Sequence, residues 1–165
     1  MTIEIFDQLV TPVQAKAAGL QPQARVVLPY SQREKARQRA TTECGEDVAI
    51  TLPRGTIMRH GTLLQSPAGR YLLVEAAAEP VSTVSANERL VAIAYHLGNR
   101  HVALEVGEGW VRYLRDHVLD EMVKQLGGHL HHEAAPFEPE GGAYQGHHHH
   151  SHEHSHEHSQ EHNHE

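Results

Sequence analysis

The residues best suited to chemistry in this chain crowd one end of it. Of 17 histidines in 165 residues, ten lie near the C-terminus, at His147, His148, His149, His150, His152, His154, His156, His158, His162 and His164. From His150 onward they alternate largely as His-x-His, with Ser, Glu, Gln or Asn in between. Neutral imidazole is a good ligand for Ni2+, Cu2+ and Zn2+, and loose spacing lets several rings converge on one ion without a preformed cavity. The implied chemistry is metal capture, and the composition does not by itself select the metal. A purification tag would be a uniform block, whereas this run is interleaved with Glu and Ser. His152, Glu153 and His156 match His-Glu-x-x-His, but that pattern makes a zinc protease only on a rigid helix with a third ligand. In a repeat without apolar residues the match is a coincidence of composition. Because only unprotonated imidazole binds metal, capture by the tail is expected to weaken as pH falls through about 6.5.

Outside the tail the candidates are sparse. Cys44 is the only cysteine, so no disulfide can close within one chain and any metal meets imidazole and carboxylate. No GxxxxGK[ST] phosphate loop and no GxSxG elbow occurs, and nothing in residues 1–146 argues for an enzyme. His96, His101 and His117 fall at the ends of two expected helices, and His129, His131 and His132 near the last expected strand. A lone histidine is more often a surface or capping residue than a ligand. His101 is better placed than its neighbours. It follows Gly98, Asn99 and Arg100 at a helix exit, where a side chain can point outward from a rigid support.

The elements that must position these residues divide the chain. Apolar runs at 3–6, 26–28, 48–52 and 71–74, with Pro53, Gly55, Gly61, Pro67 and Gly69 between them, predict a small sheet or sandwich. Arg33, Lys35, Arg37 and Arg39 stand two apart, which would make one face of an extended segment basic, either solvated or used to dock a protein partner. After Pro80 the pattern changes. A strand at 81–84 leads to Ser85 and Glu88, spaced as a capping box, and then to Leu90, Ile93, Ala94 and Leu97 on one helical face, ended by Gly98. Strands follow at 102–106 and 110–114 around a turn at 107–109. Asp116 caps a second helix carrying Leu119, Met122, Val123 and Leu126, Gly127 stops it, and a final strand spans 129–133. The order β, α, β, β, α, β is the ferredoxin-like, split βαβ arrangement. The fold class expected is α+β, with a small all-β N-terminal domain over 1–78 for partner contacts, a ferredoxin-like metal-binding and dimerisation domain over 79–140, and a disordered His-rich tail over 141–165. Pro136, Pro139, Gly141, Gly142 and then the polar repeat cannot bury enough apolar surface to offset the entropy of ordering.

Charge narrows the function classes. Four tail glutamates account for −4 of the net charge of −7, leaving −3 for residues 1–146, which argues against a nucleic-acid binder needing a strong positive field. Without the tail the apolar share rises to about 44%, typical of a globular body. No run reaches the roughly 18 apolar residues of a membrane span, and residues 1–8 lack the basic and hydrophobic regions of a signal peptide. A cytoplasmic protein without membrane contact is expected.

Several segments carry a family resemblance. Residues 95–102, YHLGNRHV, resemble the signature of the UreE family of urease accessory nickel chaperones. LPRGT at 52–56, with Arg59, Gly61 and Leu64, is similar to the family's N-terminal domain. Arg112, Tyr113, DHVLD at 116–120 and PFEPEGGAY at 136–144, followed by a His-rich tail, are similar to its C-terminal domain. The resemblance runs over most of the chain from about Leu52. It implies an N-terminal β domain for protein contacts and a C-terminal domain that dimerises, with His101 at the two-fold interface binding nickel together with its mate. It further implies delivery of Ni2+ as cargo to a urease accessory GTPase and apo-urease, with Zn2+ or Cu2+ able to substitute. His117 is carried over as a secondary ligand, although Arg115 stands where some relatives have the second histidine of that pair. His96 is expected to be buried and structural. A different class of reading is a His-rich store that buffers Ni, Zn or Cu without delivering it, and a folding factor such as a prolyl isomerase is a third.

Overall fold

Short strands, most of them alternating between buried and exposed residues, build the first half of the molecule. The computed structural model describes residues 3–85 and 88–141. The tail histidines and the expected disorder of that segment lie outside the described residues.

In the N-terminal part, β1 (Glu4–Phe6), β5 (Asp47–Thr51) and β4 (Arg37–Thr41) form one sheet, in that order. A second sheet has the order β2 (Gln8–Val10), β6 (Thr62–Gln65), β7 (Tyr71–Ala76), β3 (Ala24–Leu28). Two pairings are parallel, Glu4 beside Val48 in the first sheet and Ala24 beside Leu72 in the second. Phe6, Val48 and Ile50 from one sheet meet Val26, Leu28, Leu64, Leu72 and Val74 from the other in a single buried cluster. The alternation read from the sequence thus becomes the inner faces of a small sandwich.

Two helices interrupt this part where the sequence reading has none. In α1 (Pro12–Ala17), Thr11 caps the backbone of Gln14 while the Gln14 side chain caps Thr11 in return, with Pro12 at the first position. One turn, α2 (Tyr30–Arg33), follows Pro29 and corrects the expected basic stripe. The turn takes Arg33 out of any extended segment and buries it completely, so only Arg37 and Arg39 share an exposed strand face.

The C-terminal part follows the expected order: β8 (Ala78–Ser85), α3 (Leu90–Gly98), β9 (Glu105–Gly107), β10 (Trp110–Leu114), α4 (His117–Gln125) and β11 (His129–Pro136). The four strands are arranged β11, β8, β10, β9, with every pairing antiparallel, as the ferredoxin-like connection requires. Ile93 and Leu97 of α3 and Val123 of α4 pack on Val84, Val111 and Tyr113 of the sheet. Asp116 caps α4, its Oδ1 accepting from the Val118 and Leu119 amides at 2.8 and 3.1 Å, and Gly127 follows the helix at φ 83°.

Two local expectations fail. Ser85 is the last residue of β8, and α3 begins at Leu90 behind Arg89 without a side-chain cap, so Ser85 and Glu88 form no capping box. The strand expected over 102–106 shrinks to β9: the Val102 amide still closes the end of α3, and Leu104 O accepts from Glu140 of the returning chain.

A strap joins the two parts. After β11, residues 137–140 run back across the N-terminal sandwich, and Phe137 is buried edge-to-face against Tyr30 at 5.4 Å between ring centroids. Arg33 is the fastener: its Nε donates to Leu28 O and its Nη1 to Met58 O, while the guanidinium also meets the Glu138 carboxylate and Phe137 O. Arg59 donates to Pro139 O, and the His60 amide donates to Glu138 Oε1 at 3.2 Å.

Candidate metal centre

His101 sits where α3 unwinds. Its amide donates to Gly98 O at 2.9 Å and the Val102 amide donates to Leu97 O at 3.3 Å, the paired bonds of a Schellman closure. Val102 and Leu97 also pack in the same apolar cluster, the hydrophobic contact that accompanies such a closure. The position that closes this motif needs a left-handed backbone, which glycine takes at least cost. Here it is His101, at φ 58°, the single non-glycine residue with positive φ among the described residues. An imidazole held in this way is exposed, as expected, and its backbone is fixed by bonds on both sides.

The strap reaches the same place. The Glu140 amide donates to Leu104 O at 2.7 Å and the Glu138 amide to Glu105 Oε2 at 3.1 Å, so the chain that becomes the tail passes three residues from His101. Leu104 and His101 are separated by at most about 11 Å of chain. On α3 itself Val91 and Tyr95, one turn apart, are 82% and 67% exposed. They form an exposed apolar face of the helix. His96 is half-buried rather than buried, its ring edge-on to that of Tyr95 at 5.5 Å.

His117 opens α4 and is exposed, beside the cap residue Asp116. It belongs to no ready-made site: among the described residues no three His, Cys, Asp or Glu side chains gather as a metal site. Any ion held by one copy of the body alone therefore has an incomplete protein shell.

A network not foreseen from sequence lies behind α4. The Tyr113 hydroxyl donates to Asp120 Oδ1 at 2.7 Å, and His132 Nε2 lies 2.9 Å from Asp120 Oδ2. Asp120 is only 5% exposed. Burial works against its ionisation, but the bonds from Tyr113 and His132 more than offset it, and the carboxyl is held below its ordinary range. The Ser82 hydroxyl lies near enough to influence the carboxylate, yet outside hydrogen-bonding geometry. Burial, followed by the carboxylate beside it, pushes the Tyr113 phenol well above its usual value. These residues are 7 and 12 positions apart on three elements, so only the packing of α4 across β10 and β11 brings them together.

Comparison with known proteins decides the family. A family model described as the C-terminal domain of UreE urease accessory protein matches residues 79–164, and one for the N-terminal domain matches residues 6–77. The chain belongs to the UreE family of urease accessory proteins. A urease accessory protein UreE from Alkalilimnicola ehrlichii is 50% identical over 125 residues, covering 74% of this chain and 77% of the relative. One from Nitrosospira multiformis is 49% identical over 131 residues, covering 77% and 74%. One from Saccharophagus degradans is 44% identical over 146 residues, covering 87% and 85%. Membership in UreE ties the chain to urease maturation, and no helix among the described residues is long and apolar enough to cross a membrane.

Proposed function

We propose that this UreE protein is a homodimeric nickel chaperone of the cytoplasm and not an enzyme. It collects Ni2+ through its tail, holds the ion between His101 and the same residue of a second copy, and passes it to an accessory GTPase and apo-urease. The observation that carries the reading is the placement of His101: an exposed imidazole on a backbone-locked helix end, next to the exposed apolar face of Val91 and Tyr95. An isologous contact through such a face would bring two copies of His101 toward one axis, and two imidazoles there supply part of a coordination shell. A partial shell suits delivery, because open positions remain for the receiving protein. Chain length supports transfer from the tail, since the seven residues from Glu140 to His147 can span up to about 25 Å. Zn2+ and Cu2+ accept the same ligands and would compete for both places.

The test separates delivery from storage. A chain ending at Gly141 should lose most of its metal capacity yet still support some urease activation. His101→Ala should keep most of the capacity and impair activation. If activation follows capacity in both variants, the protein is a store.

A further inference from the structure

We infer that the exposed face of β11 carries a second divalent-metal site, formed by His129 and His131. Residues two apart on a strand project from the same face, their Cα atoms about 6.6 Å apart along the strand. That separation lets two imidazoles lean together and place one nitrogen each about 2 Å from a shared ion. Both side chains are exposed, and β11 is the edge strand of its sheet, with no strand on its outer side to hold the rings upright. Among the described residues neither ring has a hydrogen bond or ion pair. His132 points to the other face, where Asp120 holds it, and so stays out of the pair.

The charge on this face favours a cation. The charged neighbours across the rungs are Arg112, Glu133 and Glu105. Arg112 donates to Glu133 Oε1 at 2.9 Å and to Thr83 Oγ1 at 2.9 Å, and its Nη1 lies 3.7 Å from Glu105 Oε2. Two carboxylates against one guanidinium leave a net negative charge beside the histidines. With only two protein ligands, water completes the shell. The ligand class is a first-row divalent ion that accepts imidazole, Cu2+ held more tightly than Ni2+ or Zn2+.

The molecule carries its own reporter. Trp110 is the only tryptophan, and the register Trp110, Ser85, His129 places it on the same face two strands away, about 10 Å from the pair. Its indole lies directly over Gly107, where an added Cβ would fall 2.0 Å from the ring, so the reporter is fixed in place. The experiment uses full-length protein titrated with Cu2+ and, separately, Ni2+, while the Trp110 emission is followed. In the wild-type chain, saturable quenching is expected. A His129→Thr/His131→Thr double variant, which keeps the tail, His101 and residues suited to an exposed strand, should lose most of that quenching at unchanged circular dichroism and unfolding temperature. His132→Thr, on the opposite face, should keep it. Quenching in the double variant equal to wild type would overturn the site, because ions held elsewhere would then account for it. Equal loss in the double variant and in His132→Thr would overturn it as well, since disturbance of the strand would suffice.

Discussion

His101 holds a left-handed backbone that costs a residue with a Cβ on the order of 1 kcal/mol, at a position where glycine costs least. Strain of that kind persists where something other than stability selects the side chain. His101→Gly is therefore expected to raise the unfolding midpoint by a few degrees, since about 1 kcal/mol corresponds to roughly 4–8 °C in a small domain. The same variant should lose the nickel affinity ascribed to the paired site by calorimetry. A lower midpoint would mean that the imidazole makes a compensating contact in the protein. Asp120 shows the opposite balance, a polar residue kept for the fold. Asp120→Asn should cost about 1–3 kcal/mol near neutral pH, because it weakens the bonds from Tyr113 and His132 in a nearly dry setting. Its carboxyl is depressed in the folded state, so its contribution is present above the ordinary carboxylate value near 4 and is lost as pH falls through the lower folded value. Denaturant unfolding across that acid range should show a shallower loss of stability in the variant than in the wild type.

At the scale of elements, the strap 137–140 holds the sandwich and the ferredoxin-like sheet in one frame, and Arg33 is its fastener. Arg33→Met should cost roughly 3 kcal/mol by leaving the carbonyls of Leu28, Met58 and Phe137 without their side-chain donor and the Glu138 carboxylate with only the His60 amide and Arg59 beside it. Arg33→Lys should recover only part of it, because a point charge cannot serve four acceptors in a plane. Calorimetric unfolding is expected to change from one transition to two as the halves uncouple, and a single transition at the wild-type midpoint would show that the strap is not what couples them. Arg33 also marks the limit of what the sequence discloses. Elements whose signal lies in consecutive residues were legible: the alternation of β7, the Asp116 cap, the Gly127 stop, the apolar stripe of α3 and the βαββαβ order. Arg33 was misread as part of a strand face because its partner Glu138 is 105 positions away. The Asp120 network is invisible in the sequence because its members, though only 7 and 12 positions apart, stand on three elements that only packing brings together. His101 was legible as a candidate from its place after a helix, but the backbone that locks it depends on bonds from Gly98 and Leu97 that only the folded turn makes. The expected strand at 102–106 is shortened because Val102 is used to close the helix and Leu104 O is taken by the Glu140 amide, 36 positions away in the chain.

For the molecule as a whole, the proposed reading requires two copies, and the face expected to join them is already exposed. Val91 and Tyr95 stand on the solvent side of α3, away from Ile93 and Leu97, which hold that helix to its sheet. Replacing both by Asp should leave the protomer's unfolding midpoint within a few degrees, because surface substitutions outside packed positions usually change stability by about 0.5 kcal/mol or less. Sedimentation is expected to show a dimer for the wild type and a monomer for this variant. Separation would remove one of two imidazoles from the shared ion and weaken nickel binding at His101 by at least about tenfold, a change of about 1.4 kcal/mol. Most of the capacity should remain, since the tail imidazoles are untouched. Capacity and affinity would thus separate cleanly: a monomer that still binds nickel at His101 with wild-type strength would remove the two-fold axis from the mechanism, since one imidazole on one copy would then suffice.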